Sequence, residues 1–309
     1  MKNYISRIKG IIIDLGADFR ITNPEDFKKW YGEDHILPEF LPLFVYGLPE
    51  INRDKIRGSR YIANPGCYPT SILLGLAPIL SERDFQVEHI VIDSKSGVTG
   101  AGRKLKPEYL FLSVNENFLA YSAVCHRHIG EIEQEIEKIS GKKHKICFTP
   151  HLLPLNRGIF TSIYCHIRVR EKEGQSLIDT KDTFDNQDKA LFKEIECDKE
   201  FHINGEEVIN IKGMIKGMLT KRLYSLYQNF YKDSLFVRFL GERIPQIKDV
   251  VGTNMCHIGI AFDERTCTLK IFSAIDNLLK GASGQAVQNM NIAMGLDEME
   301  GLAISGIFS

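Results

Sequence analysis

Ala63-Asn64-Pro65-Gly66-Cys67-Tyr68-Pro69-Thr70 joins a short extended run, Arg60 to Ala63, to an apolar stretch that opens as Thr70-Ser71-Ile72-Leu73-Leu74. The entering residues have strand composition, Pro65 and Gly66 force a tight turn, and the apolar stretch predicts a helix with unpaired N–H groups at its start. Cys67 falls at that junction. A helix N-terminus favours thiolate over thiol, and thiolate is the reactive species. Cysteine is also among the most buried residue types, a small hydrophobe. Both readings, nucleophile and inert core thiol, stand on the local residues alone.

Outward from the turn, Gly10-Ile11-Ile12-Ile13-Asp14-Leu15 reads as a strand buried on both faces, as in a parallel sheet, and Ile90-Val91-Ile92-Asp93 as a second buried strand. Asn23-Pro24-Glu25 is a helix start, followed by Phe27, Trp30 and Tyr31 at helical spacing as core residues. The second strand leads into the glycine-rich loop Ser94 to Lys104, which suits close approach of backbone to a ligand. A helix over His128 to Ile139 carries Ile129, Ile132, Ile136 and Ile139 on one stripe, and Gly141 stops it. Alternation over Ile159 to Arg170 and short β runs at Leu235–Leu240, Cys256–Phe262 and Leu269–Phe272 predict a mainly antiparallel sheet. Between Glu171 and Leu219 the composition turns polar and charged, as an insertion.

With 309 residues, 43% hydrophobic and 26% charged, the chain can bury one large or two ordinary cores. A balance of 39 basic and 40 acidic residues leaves no electrostatic footprint for nucleic acid or an anionic membrane, so the expected partner is a small molecule. No apolar run approaches the roughly 20 residues needed to cross a bilayer, and the first residues lack a secretory h-region, so the expected location is the cytoplasm. Seven cysteines without a CxxC pair argue against a zinc ribbon or a disulfide framework and are expected as reduced thiols, Cys147 and Cys165 in the core.

A second cluster, Cys125-His126-Arg127-His128-Ile129-Gly130-Glu131, precedes the isoleucine-striped helix. If the segment is extended, the two histidines project to one side. A metal reading needs a third ligand, which no recognisable spacing supplies, so no metal is expected. Histidine as general acid/base partner of a thiol fits the chemistry, while a hydrogen-bonded structural histidine at a helix start is the alternative. Glu131 would orient an imidazole or simply occupy the first helical turn, where carboxylates are favoured.

Five motifs in order, Gly66–Thr70, Ser96–Lys104, His126–Glu135, Thr149–Ile159 and Ala274–Asn291, resemble the N-acetyl-gamma-glutamyl-phosphate reductase family of arginine biosynthesis. The resemblance spans nearly the whole chain apart from Glu171 to about Leu219. It implies NADPH-dependent reduction of N-acetyl-glutamyl 5-phosphate to the 5-semialdehyde through a Cys67 thioester, with His126 carrying the proton. It further implies Arg20, His128 and Glu131 near the substrate, and Ser96, Gly97, Gly100, Gly102 and Asn277 beside the nicotinamide of NADP(H). Gly130 departs from the proline usual there, and Cys125 from a small residue. The implied fold is α/β: a Rossmann-type remnant over 1–66 completed by 276–309, and an α+β catalytic and dimerisation domain over 67–275 with an insertion near 171–219. A homo-oligomer, dimer or tetramer, is expected. The first βαβ unit of the family, about 90 residues with its glycine-rich phosphate turn, is expected to be missing ahead of Gly10. The alternatives are a reductase of an aminoadipate- or aspartate-type acyl phosphate, or an inactive truncated relic or partner subunit. The Asn-Cys-Thr setting of the aspartate branch does not match Gly66-Cys67-Tyr68.

Overall fold

The computed structural model describes residue 5 and residues 7–102, 106–169, 207–302 and 305, with side chains from Gly217 onward in the last long stretch. Among the described residues ten strands form two sheets. A small parallel sheet has the order β1-β3-β2, from β1 (Ile12–Asp14), β2 (Val45–Tyr46) and β3 (Tyr61–Ala63). Two helices belong to it in sequence, α1 (Pro24–Tyr31) and α2 (Pro49–Ile56). Asn23 caps α1 by accepting the N–H groups of Glu25 and Asp26, as its position before Pro24 predicts. Among the described residues β1 pairs with β3 alone and so forms an edge.

The large sheet has the order β5-β6-β4-β7-β10-β9-β8. Its strands are β4 (Phe85–Gly97), β5 (Leu119–Ala120), β6 (Ile146–Leu153), β7 (Ile159–Val169), β8 (Val237–Phe239), β9 (Cys256–Asp263) and β10 (Thr268–Ile275). The long pairs of β4, β7, β10 and β9 are antiparallel, while β4–β6 and β8–β9 run parallel, so the sheet is mixed. Alternation holds along β4: Ile90, Ile92, Ser94 and Ser96 are buried beneath the helices, whereas Val91, Asp93 and Lys95 face outward.

Helix α3 (Cys67–Ser81) lies on the inner face of this sheet, buried from Tyr68 through Leu80. It begins at Cys67, three residues before the expected Thr70, because Pro69 in the first turn needs no N–H partner. Pro78 inside the helix removes the donor that would serve the carbonyl of Leu74. The Tyr231 hydroxyl donates to that carbonyl, and the Tyr227 hydroxyl donates to the carbonyl of Gly75 at 2.8 Å. Both tyrosines sit on α6 (Glu207–Tyr231), so the charged stretch that reads as an insertion ends in a helix that stoppers α3; its earlier residues lie outside those described. The short helix α4 (Phe111–Val114) precedes β5, and α5 (His128–Ser140) ends at Gly141, whose φ of +69° is the left-handed cap. The last helix, α7 (Ser283–Met294), returns to the small sheet, where Ile292 packs with Ile56 and Ile62.

Candidate active site

The Asn64–Gly66 turn delivers the chain from β3 to the start of α3. Gly66 has extended backbone, φ −68° and ψ 155°, and its carbonyl accepts the N–H and the hydroxyl of Thr70, both at 2.9 Å. Glycine is required there by close approach. A Cβ would stand 2.8 Å from His128 Nε2 and 3.1 Å from Arg20 Nη1. Cys67 is half-buried at the first helical position, and Gly281 lies against it so tightly that a Cβ would fall 2.9 Å from the Cys67 Cβ. Burial pushes the thiol above its ordinary pKa; the Arg20 charge and the Tyr68 N–H pull the other way without prevailing. The helix start therefore does not by itself hold a thiolate, and a proton carrier is needed.

His126 is surrounded edge-on by four rings, with centroids of Tyr68 at 5.7 Å, Tyr121 at 5.8 Å, Phe148 at 5.4 Å and His128 at 4.8 Å. Burial among them, with the Arg127 charge adding to it, lowers its pKa to about 4. The imidazole is neutral at pH 7. Its Nδ1 faces the backbone N–H of His128 at 3.2 Å, and accepting that bond places the ring proton on Nε2. This geometry corrects the extended reading of the histidine pair: Arg127 is helical, φ −56° and ψ −28°, and the rings meet across the first turn of α5.

Arg20 and Glu131 come to the site but face the protein. Arg20 donates from Nε to the Asn64 carbonyl at 2.7 Å and from Nη2 to the Leu15 carbonyl at 3.0 Å, and its Nη1 stands 3.7 Å from Glu131 Oε2. Glu131 is 0% exposed, and its Oε1 accepts the Gly66 N–H and the Tyr46 hydroxyl, each at 2.8 Å. Sequence reasoning passed over three tyrosines. Tyr68 follows Cys67 directly and was legible by adjacency; its hydroxyl lies 3.0 Å from that of Tyr121. Tyr46 and Tyr121 arrive from distant elements and carry no local signal.

Ser96 and Gly97 end β4, and Gly100 and Gly102 belong to the following turn. Asn277 stitches this loop to the rest, accepting the Gly158 N–H at 2.7 Å and donating to Thr99 Oγ1 at 3.0 Å. Gly97 is closed off by the Arg157 backbone and Gly100 by Ser96 Oγ, whereas Gly102, at φ +76°, has open space where a Cβ would stand. Gly281 packs against both Asn277 and Cys67, so the segment that stitches this loop also lies beside the cysteine. No glycine-rich turn opens a helix after a strand of the small sheet among the described residues, so nothing further is assigned to the pyrophosphate. Among the described residues no group of three or more histidine, cysteine or acidic side chains could hold a metal. Cys165 and Cys256 are buried thiols pushed up to about 12. Cys147, expected in the core, is exposed on the outer side of β6, because strand alternation turns it away from Phe148. Cys267 is disulfide-bonded, which corrects the expectation of seven thiols, since sequence spacing does not reveal pairing in space.

Residues 67–189 and 207–277 match the family model of the semialdehyde dehydrogenase dimerisation domain. Solved structures agree on the fold: aspartate semialdehyde dehydrogenase II from Vibrio cholerae superposes with a TM-score of 0.52 at 14% identity, over 81% of this chain and 68% of that one. Fold and match define a semialdehyde dehydrogenase-type protein, a class of oxidoreductases served by a nicotinamide cofactor. The chain is 44% identical to the N-acetyl-gamma-glutamyl-phosphate reductase of Pelotomaculum thermopropionicum, over 96% of this chain and 72% of the relative. It is 40% identical, with the same coverage, to that of Desulforudis audaxviator. It belongs to the N-acetyl-gamma-glutamyl-phosphate reductase family. No described helix is long and apolar enough to cross a membrane.

Proposed function

We propose that the protein reduces N-acetyl-glutamyl 5-phosphate to N-acetyl-glutamate 5-semialdehyde, releasing phosphate, as a cytoplasmic enzyme of arginine biosynthesis. The observation that carries this reading is a half-buried cysteine at a helix start whose next residue, Tyr68, faces the neutral, ring-caged His126 with ring centroids 5.7 Å apart. The Cys67 sulfur attacks the acyl carbon, an S–C bond forms, the C–O bond to phosphate breaks, and the thiol proton leaves with the departing phosphate. His126 is the proton carrier: neutral, with Nε2–H presented, it donates to the oxygen that gains charge and recovers a proton between half-reactions. His128, with Nε2 against Gly66, lines the substrate side of the turn. Ser96, Gly97, Gly100, Gly102 and Asn277 would hold the nicotinamide end of NADP(H), which when bound would supply the hydride that takes a thioester to the aldehyde level. Collapse of the thiohemiacetal then returns the Cys67 sulfur.

The active species is proposed as a homo-oligomer through the outer face of the large sheet. There Val91 is exposed and Tyr164, Lys270 and Phe272 are half-exposed, while α3 and α5 cover the opposite face. The catalytic assignment is tested without cofactor. Incubated with the acyl phosphate, the chain should carry an acyl adduct on the Cys67 peptide, seen by mass spectrometry. Cys67→Ala should lose it and Cys147→Ala keep it; equal loss in the two variants would remove Cys67 from the role.

A further inference from the structure

We propose that Glu131 and Tyr46 are positioning residues that latch the Gly66 N–H, and through it set the reactivity of Cys67, rather than contacts of the substrate. The proposal rests on Cys67 being the nucleophile. Three observations carry it. First, Glu131 is fully buried, and a single oxygen, Oε1, accepts both the Gly66 N–H and the Tyr46 hydroxyl at 2.8 Å. Second, Tyr46 is the last residue of β2 and is paired in register with Ala63, the last residue of β3 before the turn, so its phenol bridges the small sheet to α5. Third, the remaining contacts of the turn also come from the protein: Arg20 holds the Asn64 carbonyl and faces Glu131 Oε2, and Asn64 Nδ2 donates to the Ala282 carbonyl at 3.0 Å.

The physical consequence follows from position. Gly66 is the N-cap of α3, so fixing its N–H fixes the orientation of the first helical turn, where the Tyr68 N–H and the Arg20 charge favour thiolate at Cys67. A carboxylate accepting two bonds on one oxygen is a rigid anchor, and the phenol keeps that oxygen in place. A substrate-binding carboxylate, in contrast, needs an oxygen open to the cleft, and neither oxygen of Glu131 has one.

The test is the alkylation rate of Cys67 by iodoacetamide in the intact chain at pH 7.5, with no substrate or cofactor, resolved residue by residue by peptide mass mapping. Tyr46→Phe should slow Cys67 about threefold and Glu131→Ala about tenfold, the range expected for losing hydrogen bonds of a buried anchor. Glu131→Gln, which keeps an acceptor at the same place, should recover most of the rate. Cys147, exposed on β6, should label at the parent rate in all variants. General loosening would instead speed labelling of buried Cys165 and Cys256, and Tyr46→Phe then decides alone. Unchanged or faster labelling of Cys67 in Tyr46→Phe overturns the latch. Because no acyl phosphate is present, that failure is distinct from failure of the reductase reading, which the adduct experiment addresses.

Discussion

At the scale of single residues, the site is governed by competition between burial and a few fixed charges, and His126 shows which wins. Its ring sits among Tyr68, Tyr121, Phe148 and His128, and its pKa falls from 6.5 to about 4. The sign for stability follows. Between pH 6.5 and about 4 the unfolded chain takes up a proton that the folded chain refuses, so stability is lost as pH falls through that window; below it both forms are protonated. His128, lowered further by burial and by the neighbouring His126 and Arg20 charges, adds in the same direction. His126→Asn should therefore flatten the pH dependence of unfolding by about one proton across the window while leaving the His128 part. Urea midpoints of parent and variant at pH 4.5 and 7 check this. Parallel losses would mean that His126 titrates normally in the fold.

At the scale of elements, the helix carrying Cys67 is held by a trade between a proline and two tyrosines. Pro78 deprives the Leu74 carbonyl of its helical donor, and the Tyr231 hydroxyl restores one from α6, one turn after Tyr227, whose hydroxyl donates to the carbonyl of Gly75. Tyr231→Phe should cost about 1–3 kcal/mol, since it leaves a buried carbonyl without a partner. Restoring the helical donor with Pro78→Ala should shrink that cost, and a double-mutant cycle by urea denaturation measures the coupling; additive costs would refute the exchange. Such exchanges explain what the sequence reveals and what it does not. The Asn23 cap, the isoleucine stripe of α5 with its Gly141 stop, and the cysteine turn are written in neighbouring residues, so their positions were readable. Period-two alternation marks a strand without naming its neighbours, so the parallel β4–β6 and β8–β9 pairs were not. The α6 stripe of Leu223, Tyr227 and Tyr231 lay hidden at the edge of a charged stretch, and Tyr46 and Tyr121 reach the site only through long-range packing.

At the scale of the whole molecule, the small sheet is joined to the large one through a buried charge beside the site. Lys280, in the segment that carries Gly281 against Cys67, is 0% exposed; its Nζ donates to Glu50 Oε1 of α2 and to Gln288 Oε1 of α7, both at 2.7 Å. Gln288 passes the contact on to Glu298 at 2.8 Å, and Arg53 pairs with Glu298 from α2. An ammonium and a carboxylate buried together are each costly without the other, so removing one partner does more harm than removing both. Lys280→Met should lower unfolding free energy by about 3–5 kcal/mol, leaving Glu50 charged and unpaired. Adding Glu50→Leu should return most of that loss, because methionine and leucine fill the space without a stranded charge. Thermal and urea unfolding of the two single variants and the double variant measure this. If the double variant is as unstable as the sum of the singles, the pair is not the tie between α2 and the Gly281 segment, and the junction rests instead on the amide contacts of Asn289 with the Gly47 carbonyl and Asn64.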